Sequence, residues 1–497
     1  MIIGGIDVGT TGSKLTVYNT DGEFIYNVYR EYNVSRAGGQ HEVDAQMIFE
    51  AICELIKDAA SKYELEAIGV TSFGETFALV DKNGEVLFPS MLYTDPRGTE
   101  EKDELVKALG EETIQNICGA KPHSMYSLPK LLWIKKNHPE IFAKAYKALL
   151  IEDFIVYKLT GVAQIDYSLA ARTMAFDIRN KCWSKEILSA CGIDENIFAT
   201  PVNAGTKAGN ITSDLKEKLG LKRDIMIVNG CHDQVAAATG CGIFTPGEAV
   251  DGTGTVECVT PVFDKIPDDK RLYDEGYSVV PYVIDGMYVC YALTFTGGAT
   301  LKWYRDNFAR FEHAEAKKNG KNVYAELDGM VSDNPTDLLI LPHFAGAANP
   351  YMDNGSKAAI LGLTLETTNL DIYKALMEGV AFEVEQNIEH LSNFGIKLNK
   401  MYATGGGANS RVWLHIKADV FACPVTILEV AEVGACGTCM LVSVAMGVHK
   451  DLIEAKKYFV KEKRDHIPKQ QNVEIYRKKY EAFKEIYGSI RHIADKM

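Results

Sequence analysis

The residues with chemical capacity lie in short glycine-bearing turns. Gly9-Thr10-Thr11-Gly12-Ser13-Lys14 offers backbone N–H groups, hydroxyls and one ammonium. Such a turn can cradle phosphate oxygens. Asp7 stands just before it. A carboxylate there can hold Mg²⁺, directly or through water, because Mg²⁺ takes few carboxylates together with phosphates and waters. The alternative is an ordinary Gly-Thr hairpin with a surface aspartate. A second turn of the same kind, Gly252-Thr253-Gly254-Thr255, follows Asp251, and two hydroxyl-rich turns can bind a polyphosphate between them. Thr404-Gly405-Gly406-Gly407-Ala408-Asn409 is a third. Its glycines let the backbone approach a flat or charged ligand closely. Asp233, in Cys231-His232-Asp233-Gln234, is a carboxylate that can take a hydroxyl proton during phosphoryl transfer; the alternative is a plain helix cap.

The elements that must position these groups are strands and short helices. Residues 2–8 and 14–18 read as a β-hairpin around the first turn. Residues 45–60 carry apolar positions at helical spacing behind Asp44, a good N-cap. Ala67–Thr71, Thr76–Val80, Ile225–Val228 and Met401–Ala403 read as strands, and Val235–Thr239 and Arg411–Phe421 as helices. Strands followed by helices, with hairpins mixed in, indicate an α/β class. Residues 248–260 repeat the strand, turn, strand order of the N-terminus, so two like domains facing a cleft are expected, with a boundary near Thr245-Pro246-Gly247. Tyr476, Tyr480, Phe483, Tyr487 and Ile490 fall at helical spacing. They predict a terminal helix docked on its own domain, or alternatively a dimer contact.

Composition narrows the classes. With 53 Lys and Arg against 67 Asp and Glu, the 497-residue chain carries a net charge of −14. That balance disfavours nucleic-acid and anionic-membrane partners. The N-terminus lacks the basic and apolar regions of a signal peptide, and no apolar run is long enough to span a bilayer. The eleven cysteines are scattered, as expected of reduced thiols in a cytoplasm. Cys436-Gly-Thr-Cys439 sits among small residues entering an apolar helix. It reads as close helix packing, with redox or metal chemistry as the alternative. The chain contains neither G-x-x-x-x-G-K-[ST] nor a dinucleotide fingerprint opening a βαβ unit, which disfavours a P-loop ATPase.

Several stretches together resemble the FGGY carbohydrate kinases of the actin-like ATPase superfamily. They are Gly5–Lys14, Met125–Asn137, Asp166–Asp177, Thr296–Trp303, Ala358–Leu363 with Asp371–Glu378, and Gly405–Trp413 continuing through Asp419. The likeness spans roughly residues 2–448. It implies an α/β fold of two RNase H-like, actin/Hsp70-type ATPase domains around a central cleft. Residues 1–244 would carry sugar binding, the first phosphate hairpin and the catalytic aspartate, and residues 245–497 nucleotide binding. It implies ATP and Mg²⁺, with Asp233 as base and Asp7 near metal and phosphates. It assigns Thr10, Thr11, Lys14, Thr253, Gly298, Lys302, Gly406 and Asn409 to ATP. It assigns Gly74, Glu75, Gln234, Asp95 and Met125 to the acceptor. Asp95 with Arg97 can equally be a structural ion pair or turn.

Xylulokinases carry Gly-Gln-Met-His-Gly where this chain has Ser72-Phe73-Gly74-Glu75-Thr76, and glycerol kinases place an Arg-Glu pair there, of which Glu75 matches the second member. The expected acceptor is a ketopentose or related polyol, with glycerol, erythritol, gluconate and autoinducer-2 as alternatives. A homodimer is the family expectation. The alternative from another class is an actin/Hsp70-like nucleotide-switched binding protein.

Overall fold

The computed structural model describes residues 1–430 and 432–496. Its chain divides into two compact units. The first comprises Met1–Phe244, Ser278–Val289 and Val430–Lys461; the second comprises Thr245–Tyr277, Cys290–Glu429 and Glu462 onward.

The first unit is built on a six-stranded sheet. Its strands are β1 (Ile2–Val8), β2 (Gly12–Asn19), β3 (Phe24–Glu31), β4 (Leu65–Ser72), β5 (Lys207–Asn210) and β6 (Met226–His232), in the order β5–β6–β4–β1–β2–β3. β1 and β2 form an antiparallel hairpin in which Asp7 lies opposite Lys14. β1, β4 and β6 run parallel side by side. β4 and β6 are almost wholly buried on both faces, as parallel strands covered by helices require. Helix Ala45–Lys62 covers β2 and β3. Asp44 caps it by accepting from the N–H groups of Gln46 and Met47, and Ile48, Ile52, Leu55 and Ile56 form its buried stripe.

Helix Val433–Ala445 returns to this unit late in the chain and packs on β1 and on helix Asp233–Gly240. Small residues permit the approach. A Cβ on Gly5 would lie 2.5 Å from the Ala435 carbonyl oxygen, and one on Gly437 would lie 2.1 Å from that of Ala236. Cys436 and Cys439 are buried free thiols in this seam. Burial pushes the Cys436 thiol up to about 12, so it is no nucleophile near neutral pH. The C-x-x-C is a packing feature.

The second unit repeats the opening. β7 (Glu248–Thr253) forms a hairpin with β8 (Glu257–Phe263) and pairs in parallel with β9 (Lys400–Gly405). β10 (Val425–Leu428) is parallel to β9, and β11 (Glu462–His466) closes antiparallel on β10. Helix Arg411–Phe421 starts at Ser410, whose hydroxyl accepts from the Trp413 N–H at 3.1 Å. Helix Gln470–Ala494 docks on its own unit. Val473, Tyr476, Tyr480, Phe483 and Ile486 are buried, and Phe483 packs 5.4 Å from the Phe382 ring. Tyr487 lies at the margin and donates to Asp353 at 3.0 Å. Among the described residues no helix is long and apolar enough to cross a membrane.

Candidate active site

In the first unit, the carboxyl ends of three neighbouring parallel strands bring the acidic groups together. Val8 aligns with Ser72, and Ser72 with His232. The ends of β1, β4 and β6 therefore deliver Asp7, the 73–76 loop and Asp233 to one edge, the usual binding edge of a parallel sheet. Asp233 opens helix Asp233–Gly240, and its Oδ1 accepts from the Gln234 backbone N–H at 2.6 Å. About a third of its side chain (35%) stays exposed. Crowding by protein desolvates the carboxyl and pushes it up to about 6, against the Gln234 backbone hydrogen bond and Arg172, which lower it. Asp233 is thus ionised near neutral pH yet basic enough to take a proton. Asp7 is pushed further, to about 7, by desolvation first and then by the charge of Asp233, with Lys14 opposing.

The 73–76 loop is tightly fixed. Glu75 adopts a left-handed φ of 65°, a conformation that non-glycine residues adopt at a cost and that clusters at functional sites. Ser127 Oγ donates to its carbonyl at 2.6 Å. Arg172 Nε donates to Glu75 Oε1 at 2.6 Å, and Nη2 pairs with the same oxygen. The guanidinium also lies 5.1 Å from the Tyr126 ring centroid. His232 Nε2 stands 3.3 Å from Asp233 Oδ1. Burial, with Arg172 adding to it, drives this imidazole down to about 3, so it is neutral.

Other expected residues are engaged with neighbouring protein groups. Lys14 Nζ binds Glu432 Oε1 at 2.5 Å. Asp95 accepts from Arg97 Nε at 2.8 Å and from the His41 N–H at 2.7 Å, the structural ion pair. Thr10 and Thr11 remain in the β1–β2 turn, which the Gly9 N–H to Gly12 carbonyl bond closes at 3.0 Å. Met125 is half-buried and receives its place from its N–H, which donates to His123 Nδ1 at 3.0 Å.

The second unit holds a cavity of about 340 Å³ whose lining includes Thr253, Gly254, Gly298, Gly406, Gly407 and Asn409. Leu301, Tyr324, Ala325 and Trp413 supply apolar wall. Asp328 also lines it, its carboxyl raised by burial while it accepts from Ser410 Oγ at 2.6 Å and Tyr373 Oη at 2.9 Å. Apolar walls with a few fixed polar groups suit a flat heteroaromatic ring. Asn409 Nδ2 donates to the Gly406 carbonyl at 3.2 Å. The Thr253 hydroxyl is taken by Lys417 Nζ at 2.6 Å. Lys302 is exposed and does not line this cavity.

Residues 2–240 match the FGGY family of carbohydrate kinases, N-terminal domain, and residues 263–446 match its C-terminal domain. The chain belongs to the FGGY family of carbohydrate kinases. It is 25% identical to the xylulose kinase of Staphylococcus xylosus over 97% of this chain and 99% of that one. It is 24% identical to the autoinducer-2 kinase of Salmonella choleraesuis, over 99% and 94%. The ligand-bound xylulose kinase of Lactobacillus acidophilus superposes with a TM-score of 0.88 at 23% identity, covering 100% and 99% of the two chains. The fold is therefore the two-domain FGGY fold, and the protein is a phosphotransferase rather than a nucleotide-switched binding protein.

Within this family member, sequence reasoning passed over Arg172, His232, Lys417, Tyr324, Asp328 and Trp413. Arg172 lay inside the Asp166–Asp177 stretch that carried part of the resemblance, and His232 adjoins Asp233. Neither has a local pattern that reveals its partner.

Proposed function

We propose that this FGGY kinase transfers the γ-phosphoryl group of ATP to one hydroxyl of a small sugar or polyol in the cytoplasm, with a ketopentose as the first acceptor to consider. The observation that carries the reading is the placement of Asp233 at the end of β6, beside the ends of β4 and β1. The names of the relatives support the acceptor class, since xylulose kinases recur among them.

In this reading Asp233 orients the acceptor hydroxyl and takes its proton. The fixed Gln234 N–H keeps the carboxylate aimed. The 73–76 loop bounds the acceptor. Thr253, Gly298, Gly406 and Asn409 line the nucleotide cavity, and the first hairpin, with Thr10 and Thr11, offers N–H and hydroxyl donors to phosphate.

Asp7 fits a Mg²⁺ role. Its carboxyl is raised by desolvation and by Asp233, both of which a divalent cation would oppose. Bound there, Mg²⁺ supplies charge neutralisation of the β- and γ-phosphates.

The test is ADP release by pure protein with Mg-ATP against ketopentoses, ketohexoses, glycerol, erythritol, gluconate and the autoinducer-2 precursor. Acceptor-dependent release supports the reading. ATP binding with a flat response to every acceptor contradicts it.

A further inference from the structure

The loop after β4 and the 3₁₀ turn Ala171–Thr173 meet in a way that bears on acceptor choice. A Cβ on Gly74 would lie 3.0 Å from Arg172 Cγ, 3.1 Å from His232 Cδ2 and 3.2 Å from Arg172 Cβ. Residue 74 is therefore glycine because the stem of Arg172 and the His232 ring occupy the space that a side chain there would need. With that space filled, Arg172 reaches Glu75 with its Nε and Nη2, the edge that can grip a carboxylate side by side. Both side chains are only 6% exposed. The pair lies in the field of the base: Arg172 acts on the charges of Asp233 and His232, and Tyr93, itself 40% exposed, feels both Glu75 and Asp233.

We infer that the Glu75–Arg172 pair makes the site select a neutral polyhydroxy acceptor over a carboxylated one, and that Gly74 is the feature that admits the pair. This rests on the kinase reading above and refines its substrate class. A sugar acid would need a guanidinium to receive its carboxylate. Here the gripping edge of Arg172 already holds Glu75. An incoming carboxylate would instead face the charges of Glu75 and Asp233 in a partly desolvated setting, where like charges repel strongly. A neutral polyol meets the same carboxylates as hydrogen-bond acceptors for its hydroxyls.

The experiment compares kcat/KM for matched acceptors of equal chain length, ketopentose or pentitol against pentonate and hexitol against hexonate, by ADP release with Mg-ATP. The wild type should favour the neutral member by at least about a hundredfold, the discrimination expected where a site mismatches a polar group. Glu75→Gln, which keeps shape but releases the guanidinium from a carboxylate, should raise the acid-to-neutral ratio by about tenfold or more. A merely structural loss would lower both members of each couple alike and leave the ratio unchanged; that result overturns the inference. Wild-type preference for the sugar acid also overturns it, while leaving the kinase reading intact and requiring no variant to fold. ADP release with neither class overturns the kinase reading and the inference with it.

Discussion

Lys417 Nζ lies 2.6 Å from Asp251 Oδ2 with both side chains essentially unexposed. The same ammonium contacts Glu257 Oε1 at 2.9 Å and Thr253 Oγ1 at 2.6 Å. One cation from helix Arg411–Phe421 thus ties together both strands of the β7–β8 hairpin. Asp251 occupies the place in this hairpin that Asp7 holds in β1–β2, yet the two are used differently. Asp251 is locked to a buried lysine, whereas the carboxyl of Asp7 has its charge opposed mainly by Lys14, which already binds Glu432.

Lys417→Met should destabilise the fold by about 3–5 kcal/mol, because it leaves Asp251 buried without its cation. Chemical denaturation reads this directly. Unchanged stability would mean that the triad is replaceable by apolar packing.

Stability should fall as pH rises from about 6.5 to 8.5. Burial raises Glu257, with Asp251 adding to it, and raises Glu385 to about 8, with Glu389 adding to it. A carboxyl whose folded value exceeds its unfolded one binds its proton more tightly when folded. Its contribution is complete below the unfolded value and is lost as pH climbs through the folded one. His232 and His466, lowered to about 3 and about 4, act oppositely, but only below their unfolded value near 6.5. Melting temperature followed across this window should decline, and less steeply in Glu257→Gln. A flat or rising profile would contradict the assignment.

Gly407→Ala should weaken ATP binding by about tenfold, since a wall of the cavity must move. A Cβ there would lie 2.6 Å from Thr253 Cβ and 2.7 Å from its Cγ2. Calorimetric titration with ATP measures the loss, and wild-type affinity would remove this cavity from the nucleotide role.

Much of the framework was legible in the sequence. Both hairpins, the Asp44 cap and helix Arg411–Phe421 follow from apolar periodicity and local capping chemistry. The pairing of groups distant in the chain was not. Arg172 meets Glu75 across 97 positions, Lys417 meets Asp251 across 166, and Lys14 meets Glu432 across 418. No window of sequence carries such couples, because the sheet order brings them together. The return of Val433–Ala445 to the first unit is equally silent locally. Its small residues announce close packing but do not say against which partner.

Asp233→Asn tests the central claim most directly, with transfer of labelled γ-phosphate from ATP to the acceptor as the readout. The account predicts that the wild type places the label on the sugar or polyol. It predicts that the variant, with its ATP affinity preserved, transfers label about 10²–10⁴-fold more slowly for want of a proton acceptor. Near-normal transfer by the variant, or label released by the wild type as inorganic phosphate whether or not an acceptor is present, would contradict it.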